Sequence, residues 1–129
     1  MLVVDASVLA PVVADAGVDG RRFRRRLHGE TVAGPDLLRL EVASVLRRHA
    51  LADRLTVEQA SAALGDLRAF PLRTFPSDVL LGRVWELRAN LTVYDACYVA
   101  LAEASEVPLL TADRRLANAP GVRCQVELI

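Results

Sequence analysis

The sequence predicts an α/β fold, three layers deep (α/β/α), in which a central and mostly parallel sheet is covered by helices on both faces. Short apolar runs alternate along the chain with stretches of helical periodicity, as strand–helix–strand units require. The opening run Met1-Leu2-Val3-Val4 shows no polar alternation, which marks a strand buried on both faces. The 129 residues contain no linker, low-complexity tract or internal repeat, so a single domain over residues 1–129 is expected, long enough to bury a core.

Asp5 stops the first strand. Ser7 is placed to cap a short helix over residues 8–14, where Pro11 is tolerable only because it falls near the helix start. Residues 17–29 form a second helix with Phe23 and Leu27, four apart, on its dry side. Residues 31–34 are a brief strand closed by Gly34-Pro35. From Asp36 onward Leu38, Val42, Val45 and Leu46 recur at three- and four-residue spacings, which predicts a helix with one buried face. Thr56-Val57-Glu58-Gln59 has the form of a capping box and opens another helix over residues 57–69. A short strand at 72–74 precedes two helices at 77–88 and 93–105. Residues 107–111 form a strand, 114–118 one helical turn, and 122–126 the closing strand.

Apolar residues make up 53% of the chain and charged residues 25%, which excludes a disordered polypeptide. No apolar run approaches the ~20 residues of a membrane span and no leader precedes Val3, so a cytoplasmic protein is expected. Cys97 and Cys124 lack any C-x-x-C spacing and suit a reducing compartment. All sixteen basic residues are arginine, which removes every mechanism that needs a catalytic lysine. Sixteen acids balance them, so bulk charge alone argues for no polyanionic partner.

Four acids stand out by position. Asp5 ends the first strand and Asp113 follows Leu109-Leu110-Thr111, at the sheet edge where parallel α/β folds gather their functional groups. Glu41 sits four residues after Leu37 and four before Val45, on or beside an apolar stripe, where a charge requires a cation or hydrogen-bond donors. Asp95 follows Thr92 at capping-box spacing, and an acid in the first turn suits the helix dipole. Each has a purely structural alternative: turn or helix cap for Asp5, Asp95 and Asp113, an arginine partner for Glu41. Brought together, they would repel unless a cation neutralised them. All-oxygen ligation selects a hard ion, Mg²⁺ or Mn²⁺. Zinc is disfavoured because His28 and His49 have no ligand-like spacing.

Val3-Val4-Asp5-Ala6-Ser7-Val8-Leu9, Glu41-Val42-Ala43-Ser44-Val45-Leu46, Tyr94-Asp95-Ala96-Cys97-Tyr98-Val99-Ala100-Leu101-Ala102 and Leu110-Thr111-Ala112-Asp113 together resemble PIN domains. The resemblance is closest to the VapC-type toxin nucleases of bacterial toxin–antitoxin pairs and runs in order along essentially the whole chain. It implies a PIN-like domain with metal-dependent endoribonuclease activity. Such a nuclease hydrolyses RNA phosphodiester bonds with Mg²⁺ or Mn²⁺, as the toxin of a type II pair that inhibits translation and growth. Carried over by position, Asp5, Glu41, Asp95 and Asp113 are the catalytic acids, with Asp5, Asp95 and Asp113 as metal ligands and Glu41 as ligand or base. Ser7 and Thr111 correspond to polar residues that orient waters or the scissile phosphate. Some relatives carry a further acid after the fourth; Arg114-Arg115-Leu116 stand here, which leaves one metal or two open. The partners implied are RNA, a cognate VapB-type antitoxin and a second copy in a homodimer, with no membrane.

A nest of carboxylates repels RNA, so attraction needs a source. Arg21, Arg22, Arg24, Arg25 and Arg26 are the candidates for RNA-backbone contact, against the alternative of a solvated amphipathic face. The stretch from Leu37 to Ala69 is rich in Ala, Leu and Val. It is either ordinary core or a groove for an apolar antitoxin segment, one arginine of which would enter the acidic site. The competing reading of the whole chain is a catalytically silent α/β binding or signalling module whose acids are helix caps. A signalling receiver would need a lysine, absent here, and a second acid where Val4 precedes Asp5.

Overall fold

All five strands run parallel, so every connection between them crosses a face of the sheet, and helices fill the crossovers. The computed structural model describes residues 1–129. Its strands are β1 (Leu2–Val4), β2 (Val32–Pro35), β3 (Leu72–Phe75), β4 (Leu109–Thr111) and β5 (Val126–Leu128), in the order β3-β2-β1-β4-β5. Helices α1 (Ala6–Ala14), α2 (Val18–Leu27), α3 (Leu38–Leu51) and α4 (Val57–Ala69) pack on one another over one face. A 3-10 turn at Asp78–Leu80 leads into α5 (Leu81–Glu86), which packs on α6 (Val93–Ser105); α7 (Arg114–Ala117) follows β4. The predicted three-layer α/β fold is present, and its sheet is parallel throughout.

The core follows from the apolar runs. Leu2, Val3 and Val4 are fully buried, as a central strand covered on both faces must be. Helix α6 lies against β1, β2 and β4 and buries every residue from Ala96 to Ala102. Small residues at Ala96, Ala100 and Ala102 permit that close seating. A Cβ on Gly34 of β2 would lie 2.5 Å from Leu38 Cδ2, so a larger residue there would displace the buried Leu38 side chain where the first turn of α3 settles against the strand.

Most boundaries shift by one or two residues from expectation, and four of the differences have an identifiable setting. Helix α1 begins at Ala6 with Asp5, not Ser7, as its cap: the Asp5 carboxylate accepts the Ser7 N–H at 3.0 Å. Strand β4 starts at Leu109, two residues later than the pattern indicated. The stretch 77–88 divides into a 3-10 turn and a shorter helix. Strand β5 starts at Val126, because residues before it are held elsewhere: Arg123 N–H donates to Glu103 at 2.8 Å and Asn90 to Pro120 O at 3.2 Å. No helix is long and apolar enough to cross a membrane.

Candidate active site

The strand order reverses direction at β1 and β4, where one crossover leads left to β2 and the other right to β5. A crevice opens outside the carboxyl ends of strands at such a point. Here it is a cavity of about 400 Å³ whose lining includes Asp5, Glu41, Asp95 and Asp113. These four come from the end of β1, the first turn of α3, the first turn of α6 and the cap of α7. All four acids singled out in the sequence therefore share one cavity, along with Ser7.

Asp5 is the most deeply held, at 5% exposure. One of its oxygens accepts from the Ser7 hydroxyl and the other from the Thr111 hydroxyl. Each hydroxyl is aimed by an amide: Ala112 N–H donates to Ser7 Oγ at 2.9 Å, and Asp113 N–H to Thr111 Oγ1 at 3.0 Å. With one lone pair of each hydroxyl taken by an amide, the hydroxyl protons point at Asp5. Ser7 and Thr111 thus lock the Asp5 carboxylate to the β4–α7 connection.

Asp95 shows how one local pattern serves two ends. At Thr56 the capping box closes in both directions, with Gln59 N–H donating to Thr56 Oγ1 at 3.1 Å and Thr56 N–H to Gln59 Oε1 at 2.9 Å. At Thr92 only the first half forms, Asp95 N–H to Thr92 Oγ1 at 3.1 Å. The shorter aspartate does not return to the Thr92 amide, and its carboxylate is left to the cavity. Asp113 caps α7 through the Arg115 N–H at 2.8 Å and also pairs with the Arg115 guanidinium at 3.3 Å.

Glu41 has a partner that sequence reasoning missed. Tyr98, 1% exposed, donates its hydroxyl to Glu41 Oε2, tying α6 to α3 across the top of the sheet. The signal available was Asp95-x-x-Tyr98: two polar groups three apart on a helix otherwise apolar face one way. Arg48 was missed too. It follows Glu41 by seven residues and Ser44 by four, and it lines the same cavity. None of Arg21, Arg22, Arg24, Arg25 and Arg26 does so. Arg21 donates to Ala16 O at 2.8 Å, Arg24 to Val12 O and Asp15 O at 2.9 and 2.8 Å, and Arg26 to both oxygens of Glu127 at 2.7 and 2.8 Å. Arg22 and Arg25 have no partner within the chain.

The electrostatics are those of crowded, desolvated acids. Burial pushes the Asp5 carboxyl above its ordinary pKa, and the two hydroxyls and nearby amides offset only part of that. Burial likewise raises Glu41, with further upward pressure from Asp95 and Asp5 against the Tyr98 hydrogen bond. Asp95 is raised by burial and by Asp113, against the Thr92 hydroxyl and the Arg115 charge, which pull it down by less. For Asp113 burial also acts upward, but its bonds to Arg115 outweigh it and the carboxyl falls below the usual range. As arranged, no three side chains converge closely enough to enclose one ion. The donor set nonetheless has the chemistry a hard dication selects: four carboxylates, with neither histidine nor cysteine among them.

The PIN-domain family model matches residues 2–122 of the chain. Ribonuclease VapC1 of Mycobacterium tuberculosis is 44% identical over 128 residues, covering 98% of this chain and 96% of the relative. Among solved structures, PAE2754 from Pyrobaculum aerophilum superposes with a TM-score of 0.69 at 29% identity, over 97% of this chain and 81% of that one. A chain of VapBC2 from Rickettsia felis, solved bound to a DNA fragment from their promoter, shares the fold at a TM-score of 0.67 and 14% identity, over 98% and 97% of the two chains.

Proposed function

The chain belongs to the PIN-domain family, and on that footing we propose that it cleaves RNA as a VapC-type endoribonuclease whose acid cavity works with Mg²⁺ or Mn²⁺. The observation that carries this is the convergence of Asp5, Glu41, Asp95 and Asp113, from four elements far apart in sequence, in one cavity at the sheet's switch point. Caps alone would not need to share a cavity. The raised pKa values of Asp5, Glu41 and Asp95 mark carboxylates in want of a cation.

Asp5, Asp95 and Asp113 are the carboxylates that would hold the ion, which would supply water acidified near neutral pH and positive charge against the in-line transition state. Ser7 and Thr111 fix Asp5 so that at least one ligand is already in place. Glu41 is held by Tyr98 through Oε2, which leaves Oε1 free to take the proton of the attacking water. Arg22 and Arg25, unpaired on the outer face of α2, are offered for long-range attraction of RNA.

As a toxin, the protein pairs with a cognate VapB-type antitoxin. An apolar groove suits its docking segment, lined by Ala10, Pro11 and Ala14 of α1, Val45 and Leu46 of α3, and Leu55. Ala6, Ser7 and Val45 line both this groove and the acid cavity, so a segment in the groove has a direct path for an arginine to reach the carboxylates. A cytoplasmic location and a homodimer complete the reading. The decisive test incubates total RNA with Mg²⁺ and wild type, Asp5→Asn or Asp95→Asn protein. Cleavage by wild type alone is expected; equal cleavage by all three would trace the activity to a contaminant and end the assignment. Undiminished cleavage after adding the antitoxin would remove the inhibitory docking.

A further inference from the structure

Only one of the sixteen arginines, Arg48, lines the cavity that contains the four acids. It is exposed, and its guanidinium makes no hydrogen bond and no ion pair within 4.0 Å, though carboxylates line the same cavity. The nearby Arg115 is different: its charge is engaged with Asp113 at 3.3 Å. Glu41, Ser44 and Arg48 recur at three and four residues and so face one way from α3. Seven residues of helix separate Glu41 from Arg48, about 10 Å along the axis. The acids lie inside, and Arg48 stands at the mouth.

We propose that Arg48 anchors the RNA backbone at this mouth by taking a phosphate adjacent to the one cleaved. The assignment rests on the nuclease reading above and adds to it the group that offsets the repulsion between substrate and acids. Glu41 and Arg48 stand two turns apart on α3, so the phosphate at Arg48 is assigned to a neighbour of the scissile one. A guanidinium holds phosphate oxygens through two parallel N–H donors, which fixes the strand's direction across the cavity as well as its affinity. Because this contact is made equally before and during bond cleavage, its loss acts on binding and not on the chemical step.

Arg47 supplies the control. It is exposed on the same helix, but lines a separate groove between α3 and α4 with Ala43, Val57 and Leu64. Arg47→Ala and Arg48→Ala therefore make the same change in net charge on different faces. The experiment measures binding of a labelled single-stranded oligoribonucleotide in EDTA across a salt series, then cleavage kinetics of the same oligonucleotide with Mg²⁺. Thermal melting confirms that each variant folds. For Arg48→Ala the slope of log K against log salt should flatten by about 0.7, the share of one phosphate contact on a single strand. Binding should weaken roughly ten- to a hundredfold, as a charged hydrogen-bonded contact predicts. KM should rise in step while kcat holds, Arg48→Lys should recover part of the slope, and Arg47→Ala should match wild type.

An Arg48→Ala slope equal to that of Arg47→Ala would overturn the assignment, as would a loss confined to kcat. Normal RNA binding with lost antitoxin binding would also overturn it and reassign Arg48 to the protein partner. If wild type itself neither binds nor cleaves, the nuclease reading falls first and Arg48 with it. If wild type cleaves and the slope is unmoved, only Arg48 is wrong.

Discussion

Two clusters of carboxylates in this protein have been treated in opposite ways. Glu103 on α6 receives Arg83 through Nε at 2.7 Å and Nη2 at 3.1 Å, and the Arg123 amide at 2.8 Å, while Arg83 also reaches Glu86 and Gly121 O. Burial pushes Glu103 up, yet these donors outweigh it and the carboxyl ends below its ordinary pKa. At the other end of α6, Asp95 shares its cavity with Glu41 and Asp5, and all three are raised. Burial acts upward on both clusters. The difference is a cation bonded to Glu103 and none bonded to Asp5, Glu41 or Asp95, whereas their neighbour Asp113, paired with Arg115, is lowered like Glu103. One helix thus carries a finished ion pair that ties the β5 side of the sheet together and, at its other end, an acid without a bonded cation, in the cluster proposed above to take a metal.

The widest separation between the regions is in catalysis. Asp95→Asn should reduce kcat/KM for oligoribonucleotide cleavage at least about a hundredfold, the scale on which removing one transition-state-stabilising group is felt. Glu103→Gln, assayed well below its melting temperature, should cleave like wild type. Comparable losses in both variants would show that the cavity acids act only by holding the fold.

Metal binding should divide them next. Mn²⁺ at about a hundred times its dissociation constant should stabilise wild type by about 2.7 kcal/mol in urea or thermal unfolding, by mass action on the folded state. Asp95→Asn should lose most of that gain, and Glu103→Gln should retain it.

Without metal, the two regions should respond to neutralisation with opposite signs. Arg83→Ala strands Glu103, whose side chain is 13% exposed, and should cost about 1–3 kcal/mol. Asp95→Asn removes a repelling charge while leaving the Asp95 N–H bond to Thr92 intact, and should stabilise the protein by up to about 1 kcal/mol. Destabilisation by Asp95→Asn in EDTA would mean that its carboxylate already has a partner and the cluster is not strained.

The contrast also explains what the sequence disclosed. Asp5 and Asp113 were legible because a buried strand followed by an acid places that acid at one defined edge of a parallel sheet. The Thr56–Gln59 box and the helix over 57–69 were legible because they are local. Partners across space were not. Nothing in the spacing of Arg83 and Glu103, or of Arg26 and Glu127, announces that those pairs meet. The same holds for Glu41, where periodicity raised the need for a partner and suggested arginine, while the fold supplied Tyr98. The arginine run drew attention by density, yet three of its five members bond within the chain, and the cation at the cavity is Arg48, ordinary in its sequence context. The sequence pattern begins β5 four residues early, at Val122, whereas the Arg123 amide is held by Glu103 and the chain joins β4 only from Val126.

The smallest expected effect is in the pH dependence of stability. Glu103 has a folded pKa below its unfolded value of about 4.3, so its contribution is complete above the unfolded value and disappears as pH falls through the folded one. The deficit of Glu103→Gln relative to wild type should therefore be constant near neutrality and shrink below about pH 4. Asp95 has the opposite shift: its ionised form costs stability above the raised folded pKa, and that cost vanishes as the folded state takes up its proton. The metal-free gain of Asp95→Asn should thus also fade in acid, from the other side. Urea titrations in EDTA at several pH values would show two difference curves of opposite sign converging on zero as the medium is acidified. Curves that run parallel to the pH axis, or that share a sign, would show that the two clusters are not electrostatic opposites.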